Sequence, residues 1–117
     1  MKPVKIKRIY DEPSDNDGYR VLVDRLWPRG VSKIVAHLDE WDKEVAPSTE
    51  LRKWFDHKAE RFDEFAKLYR EELISKEKEL DKLRAITKTK PITLLYAAKD
   101  SKVNHAIVLK NILTKKS

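Results

Sequence analysis

The chain has no cysteine and only two glycines in 117 residues. The first absence excludes disulfides, thiolate catalysis and Cys-ligated zinc. The second excludes a phosphate loop of the P-loop or dinucleotide-binding kind, whose tight turns are built from glycine. No stretch approaches the roughly 18 apolar residues that a membrane span needs. The opening MKPVKIKRIYD lacks the apolar run of a signal peptide. The expectation is a cytoplasmic protein with no membrane partner. The three histidines show no HxxxH or HExxH spacing, so no metal site and no cofactor are expected.

What remains is charge. The chain carries 26 Lys and Arg against 20 Asp and Glu, a net charge of +6. Charged residues make up 39% and hydrophobic ones 40%, a composition that folds rather than stays disordered. The length suits one domain, residues 1–117, and above about 80 residues a core needs no covalent staples. The positive balance suits an anionic partner, a small molecule first and nucleic acid second. The interspersed acids equally suit an ordinary solvated surface.

Along the chain, residues 3–10 read as a strand, 13–18 as a loop, and Tyr19–Asp24 as a second strand. The Val21-Leu22-Val23 run fits a sheet covered on both faces. Ser32 caps a short helix from Lys33. Residues 37–45 are ambiguous. Ile34, Leu38, Trp41 and Val45 share a helical face, but Trp41, Lys43 and Val45 also alternate like an edge strand. Pro47-Ser48-Thr49 opens a helix that turns Leu51, Trp54 and Phe55 inward. From about Lys58 a longer helix carries the stripe Phe62, Phe65, Ala66, Tyr69 and Leu73. Ser75 interrupts it, and Leu80 and Leu83 mark a further helix. Ile92–Ala98 is the clearest strand. Asp100 or Ser101 then caps a last helix bearing Val103, Ile107, Leu109, Ile112 and Leu113. The order predicts an α/β class fold: one compact layered domain with a small, mainly parallel sheet of about four strands flanked by helices.

In such sheets ligands sit beyond the carboxyl ends of the strands. The second strand ends in VLVDRLWPRGVSK, which crowds Asp24, Arg25, Arg29 and Lys33 around a Trp-Pro turn. Arg25 and Arg29 suit carboxylate or phosphate through their flat donor forks. The helix starts at Ser32 and Ser101 would add backbone N–H donors. The same residues also suit a purely structural corner, with Asp24 paired to an arginine and Gly30 supplying a positive φ. His57, beside Asp56, and His105, after Asn104 at the last helix, are acid–base candidates, with Asp24 or Asp100 to orient them. His57 equally suits a helix junction, and His37 suits surface or packing. Ser32 and Ser101 lie in no nucleophile elbow. The Lys-rich stretch 110–116 suits phosphate contacts or an ordinary helix C-terminus.

Three blocks carry a resemblance: NDGYRVLVDRLWPRGVSK from Asn16, APSTELRKWFDH at 46–57, and LLYAAKDSKVNHA at 94–106. Together they resemble the DUF488 family of unknown function, in its short YeaO-like branch, over nearly the whole chain. The resemblance implies a compact α/β fold with a short helix at 33–36 and then an edge strand. It marks Asp24, Arg25, Arg29, His57, Asp100 and Asn104 as the polar motif positions. Longer relatives carry Cys-His-Arg where this chain has Asn104-His105-Ala106, so thiol chemistry does not transfer. The family supplies no established reaction, and whether this chain is an enzyme stays open. The sequence thus points to an anionic small molecule held at the sheet rim by Arg25, Arg29, Ser32, Lys33 and Asn104. A nucleic-acid-binding module and an interaction domain using an exposed Trp27 are the alternatives.

Overall fold

The computed structural model describes residues 1–115. Four parallel strands form one sheet in the order β1-β4-β2-β3, with β1 Val4–Arg8, β2 Tyr19–Leu22, β3 Glu40–Trp41 and β4 Ile92–Tyr96. Parallel neighbours require crossovers, and the helices supply them. They are α1 Lys33–Ala36, α2 Thr49–Phe55, α3 Phe62–Leu73, α4 Glu77–Ile86 and α5 His105–Thr114. The expected α/β architecture with about four strands is present.

β4 lies at the centre and is buried along its whole length. Leu94 is in register with Ile6 on one side and Val21 on the other. Alternate residues of the strands enter two apolar layers. Val21, Val23, Ile92, Leu94 and Tyr96 face the larger layer, which α2 to α5 close with side chains such as Phe55, Phe65, Leu83 and Leu109. Leu22 and Leu95 face a smaller layer with Ile9 and Ala36, roofed by Trp27, Trp41 and Leu38. The long apolar runs of β2 and β4 follow from this two-sided burial.

A polar plug closes one end of the sheet. Asp17 and Arg20 are buried and paired at 2.5 Å, and Lys7 reaches the other carboxylate oxygen of Asp17 at 2.9 Å. Gly18 follows with φ 67°, and a Cβ there would stand 2.2 Å from the Pro91 carbonyl oxygen. Only glycine lets the loop pass so near that backbone.

Several expectations need correction. Trp54 does not face inward. It is 40% exposed, with the Arg61 guanidinium 5.4 Å from its ring centre, because Leu51 and Phe55, four residues apart, take the buried stripe of α2. Of the two readings of 37–45, the edge strand that the resemblance implied forms, after a short helix at Lys33–Ala36, and the helical face through Ile34 does not. Ile34 is 85% exposed, α1 stops at Ala36, and His37 turns left-handed at φ 49°. The chain then makes the short edge strand and a 3-10 turn at Lys43–Val45. β4 ends at Tyr96 rather than Ala98, and β2 at Leu22 rather than Asp24. Neither Asp100 nor Ser101 caps the last helix. Asn104 does, its Oδ1 accepting from Ile107 N–H at 3.1 Å. Of the Lys-rich stretch, Lys116 lies outside the described residues.

Candidate functional site

A cleft of about 820 Å³ opens at the carboxyl ends of the neighbouring strands β2 and β4. It is built from the β2–α1 loop, the α2 region and the β4–α5 loop. Its floor begins at Asp24. One carboxylate oxygen, Oδ2, accepts the Ala97 N–H at 2.9 Å. That bond takes the first donor beyond β4 and is the physical reason the strand stops there. The other oxygen, Oδ1, is buried and lies 3.0 Å from His105 Nε2. The same Nε2 lies 2.9 Å from the Val23 carbonyl oxygen. Asp24 and His105 are about 85% buried, with side-chain exposures of 15% and 14%. Asp24 therefore joins β2, β4 and α5 at a single carboxylate.

The surroundings hold this pair. Trp41 Nε1 donates to the Asp24 carbonyl at 2.7 Å. The Tyr69 ring meets His105 edge-on with centroids 6.2 Å apart. Tyr69 is fully buried and its hydroxyl donates to the Val45 carbonyl. Burial pushes its phenol far above the usual tyrosine range, and the nearby Asp24 charge pushes it further, so it stays a neutral donor.

The two arginines of the VLVDRLWPRGVSK stretch part company. Arg25 is half-buried and donates from Nε to the Pro47 carbonyl at 3.0 Å and from Nη2 to the Ala46 carbonyl at 3.1 Å. It fastens the β2–α1 loop to the entry of α2 and also lines the cleft. Arg29 is exposed, and its carbonyl accepts from the Tyr10 hydroxyl at 2.9 Å. Trp27 is not an exposed contact. It is half-buried, donates to the Val31 carbonyl at 2.6 Å and meets Trp41 edge-on at 5.2 Å.

The remaining candidates are placed as follows. Ser32 Oγ caps α1 by accepting from Val35 N–H at 3.1 Å, and α1 is four residues long. Ser32 and Lys33 are exposed and lie outside the cleft lining. His57 lines the cleft from a left-handed position, φ 55°. Asp100 Oδ1 accepts from Lys102 N–H and Val103 N–H at 2.8 and 3.0 Å, and these two bonds, the first most, hold its carboxyl below the usual range. Asn104 is buried, with Nδ2 on the Asp100 carbonyl and Oδ1 on the helix start. Two cleft cations were not singled out from the sequence, Arg52 and Lys99. Lys99 was within reach of the strand-end rule. Arg52 had no local signal, since only folding brings α2 beside the ends of β2 and β4.

Among the described residues no three His, Asp or Glu side chains gather in a way that holds a metal ion. No helix among them is long and apolar enough to cross a membrane.

These features define a small parallel α/β domain with a cation-lined cleft at the carboxyl ends of its strands. The chain belongs to the DUF488 family: a family model described as the inactive DUF488-N3 subclade matches residues 3–117. The chain is 51% identical over 106 residues to the uncharacterized protein YeaO of Escherichia coli (strain K12), covering 91% of this chain and 92% of that protein. It is 44% identical over 110 residues to the uncharacterized protein Rv3073c of Mycobacterium tuberculosis (strain ATCC 25618 / H37Rv), covering 94% and 92%. The uncharacterized protein Mb3100c of Mycobacterium bovis (strain ATCC BAA-935 / AF2122/97) is similar to the same extent, 44% identical over 110 residues. No solved structure gives a significant match.

Proposed function

We propose that this protein is a cytoplasmic binding domain for a small anionic molecule, phosphate- or carboxylate-bearing, held in the cleft at the strand ends. One observation carries the reading. Arg29, Arg52 and Lys99 line the cleft, and none of their side chains has a hydrogen-bond or ion-pair partner among the described residues. Arg25 adds a partly occupied guanidinium. Four cations thus face two carboxylates: Asp24, largely buried between Ala97 N–H and His105, and Asp100, whose Oδ1 accepts two backbone N–H groups. Cations gathered without partners at a concave site favour an anion, and a guanidinium suits the flat oxygen pairs of carboxylate and phosphate. The description of the subclade as inactive favours retention over turnover, as does the loss of cysteine at position 104 relative to the longer relatives.

Thermal unfolding against a panel of anionic metabolites, nucleotides and short DNA, at about physiological salt, tests this. A ligand at about 100 times its Kd adds roughly 2.7 kcal/mol, a shift of several degrees for a chain of this size. The expected result is a selective shift with small anions that is lost in the Arg29→Ala, Arg52→Ala double variant. Unchanged binding by that variant overturns the assignment. Stabilisation by DNA alone, falling steeply with salt, moves the reading to a nucleic-acid module. A panel flat throughout moves it to protein interaction.

A further inference from the structure

We propose that the anion held in this cleft also carries a hydroxyl or N–H donor, and that His105 Nδ1 is the acceptor that selects for it. The inference rests on the anion-binding reading and names the class of ligand within it: small hydroxylated or amino-bearing phosphates and carboxylates.

The argument turns on which ring nitrogen holds the proton. His105 Nε2 lies 2.9 Å from the Val23 carbonyl oxygen and 3.0 Å from Asp24 Oδ1. A carbonyl and a carboxylate oxygen both only accept, so Nε2 must be the donor. Asp24 Oδ1 is buried with no well-aligned partner of its own. In the imidazole tautomer that keeps its proton on Nε2, Nδ1 is bare. A neutral ring has one donor and one acceptor nitrogen, and here the acceptor is the one left over.

Nδ1 has no hydrogen-bond partner among the described residues, and His105 lines the same cleft as the unpartnered cations. The ring is held through Nε2 at Val23 and Asp24, Asn104 caps the helix turn that bears it, and the Tyr69 ring packs T-shaped against it. A polar atom fixed in this way discriminates more sharply than a flexible one. An analogue that lacks the matching donor leaves Nδ1 unpaired, and a site built to hydrogen-bond a hydroxyl rejects the deoxy analogue strongly. The cations set the affinity for charge, and His105 sets the choice among anions. Asp24 acts through His105 as a positioning residue.

Matched pairs test this by calorimetric titration: glycerol phosphate against propyl phosphate, and lactate against propionate. The hydroxylated member of at least one pair is expected to bind about tenfold more tightly or better. In His105→Phe that preference is expected to vanish while the anion is still held. A second measurement needs no variant. Long-range 15N spectra of the wild-type imidazole are expected to show a protonated Nε2 and a bare Nδ1. Glycerol phosphate should then perturb Nδ1, and propyl phosphate should leave it unchanged. Equal affinities within both pairs, with binding still dependent on Arg29 and Arg52, overturn this inference and leave the anion site standing. A free protein whose proton sits on Nδ1 overturns it as well. If no member of either pair binds, the anion-binding reading falls and takes this inference with it.

Discussion

Asp24 Oδ1 stands 3.0 Å from His105 Nε2, although one residue follows β2 and the other begins α5. Through Oδ2 the same carboxylate reaches the Ala97 N–H at 2.9 Å just past β4. Three elements that are distant in sequence meet at one side chain, and the cleft opens directly above it.

Replacing Asp24 by alanine removes both contacts. The Ala97 N–H is left without its acceptor and His105 loses the neighbouring charge. We expect a loss of about 2 kcal/mol, within the range for stranding half-buried polar groups. Asp24→Asn keeps an oxygen for Ala97 and should cost less. Urea unfolding of the two variants checks the order. An unchanged midpoint for Asp24→Ala would show that the bridge contributes nothing to stability.

The cleft cations should separate into two kinds. Arg25 donates to the Pro47 and Ala46 carbonyls, so Arg25→Ala is expected to destabilise by about 1–2 kcal/mol. Arg25→Lys should restore only part of this, because an ammonium lacks the fork that spans two carbonyls. Arg52 is exposed and its side chain has no partner among the described residues, so Arg52→Ala should leave the melting temperature unchanged and affect binding alone. Thermal melts of the three variants, with and without a bound anion, separate these outcomes.

The buried plug at Asp17 gives a pH dependence of defined sign. Burial raises the Asp17 pKa, but hydrogen bonds from Lys7, the Ser14 N–H and Arg20 outweigh it, and the net value lies below the ordinary 3.8. The unfolded state therefore binds this proton first on acidification. The contribution is complete above the ordinary carboxylate pKa and is lost as pH falls through the lower folded value. Asp42 runs the other way, its pKa raised chiefly by burial, so the difference between wild type and Asp17→Asn isolates the term. We expect Asp17→Asn to lose about 3 kcal/mol at neutral pH, since Arg20 is left buried and unpaired. The gap should narrow as pH falls below the ordinary carboxylate pKa of 3.8 and through the lower folded value. A constant gap across that range would refute the assignment.

Much of the fold was legible because it follows from short-range pattern. β4 and β2 announce themselves as apolar runs, and Ser32 and Ser48 cap the helices that follow them. The stripe on α3 reads directly as a buried face, with Phe65, Ala66, Tyr69 and Leu73 inside. The misread places have one cause in common. Trp54 and the start of α5 each depended on a partner distant in sequence or on a competing local bond. Asp100 has the chemistry of a cap, yet it closes a turn of its own, and Asn104 caps the helix four residues later.

Of the residues singled out from the sequence, Asp24, Arg25, Arg29, His57, Asp100, Asn104 and His105 line the cleft, whereas Ser32 and Lys33 lie outside it. That Arg25 is half structural, that Asp24 serves His105, and that Arg52 joins them could not be read from local spacing.

By itself the sequence determined the class of fold, the absence of thiol chemistry and the concentration of charge at the strand ends. These depend on composition and on periodicities of a few residues. The tertiary structure alone decided which nitrogen of His105 has no hydrogen-bond partner among the described residues and which cations have none. Both depend on distances between residues that only the parallel β1-β4-β2-β3 sheet brings together.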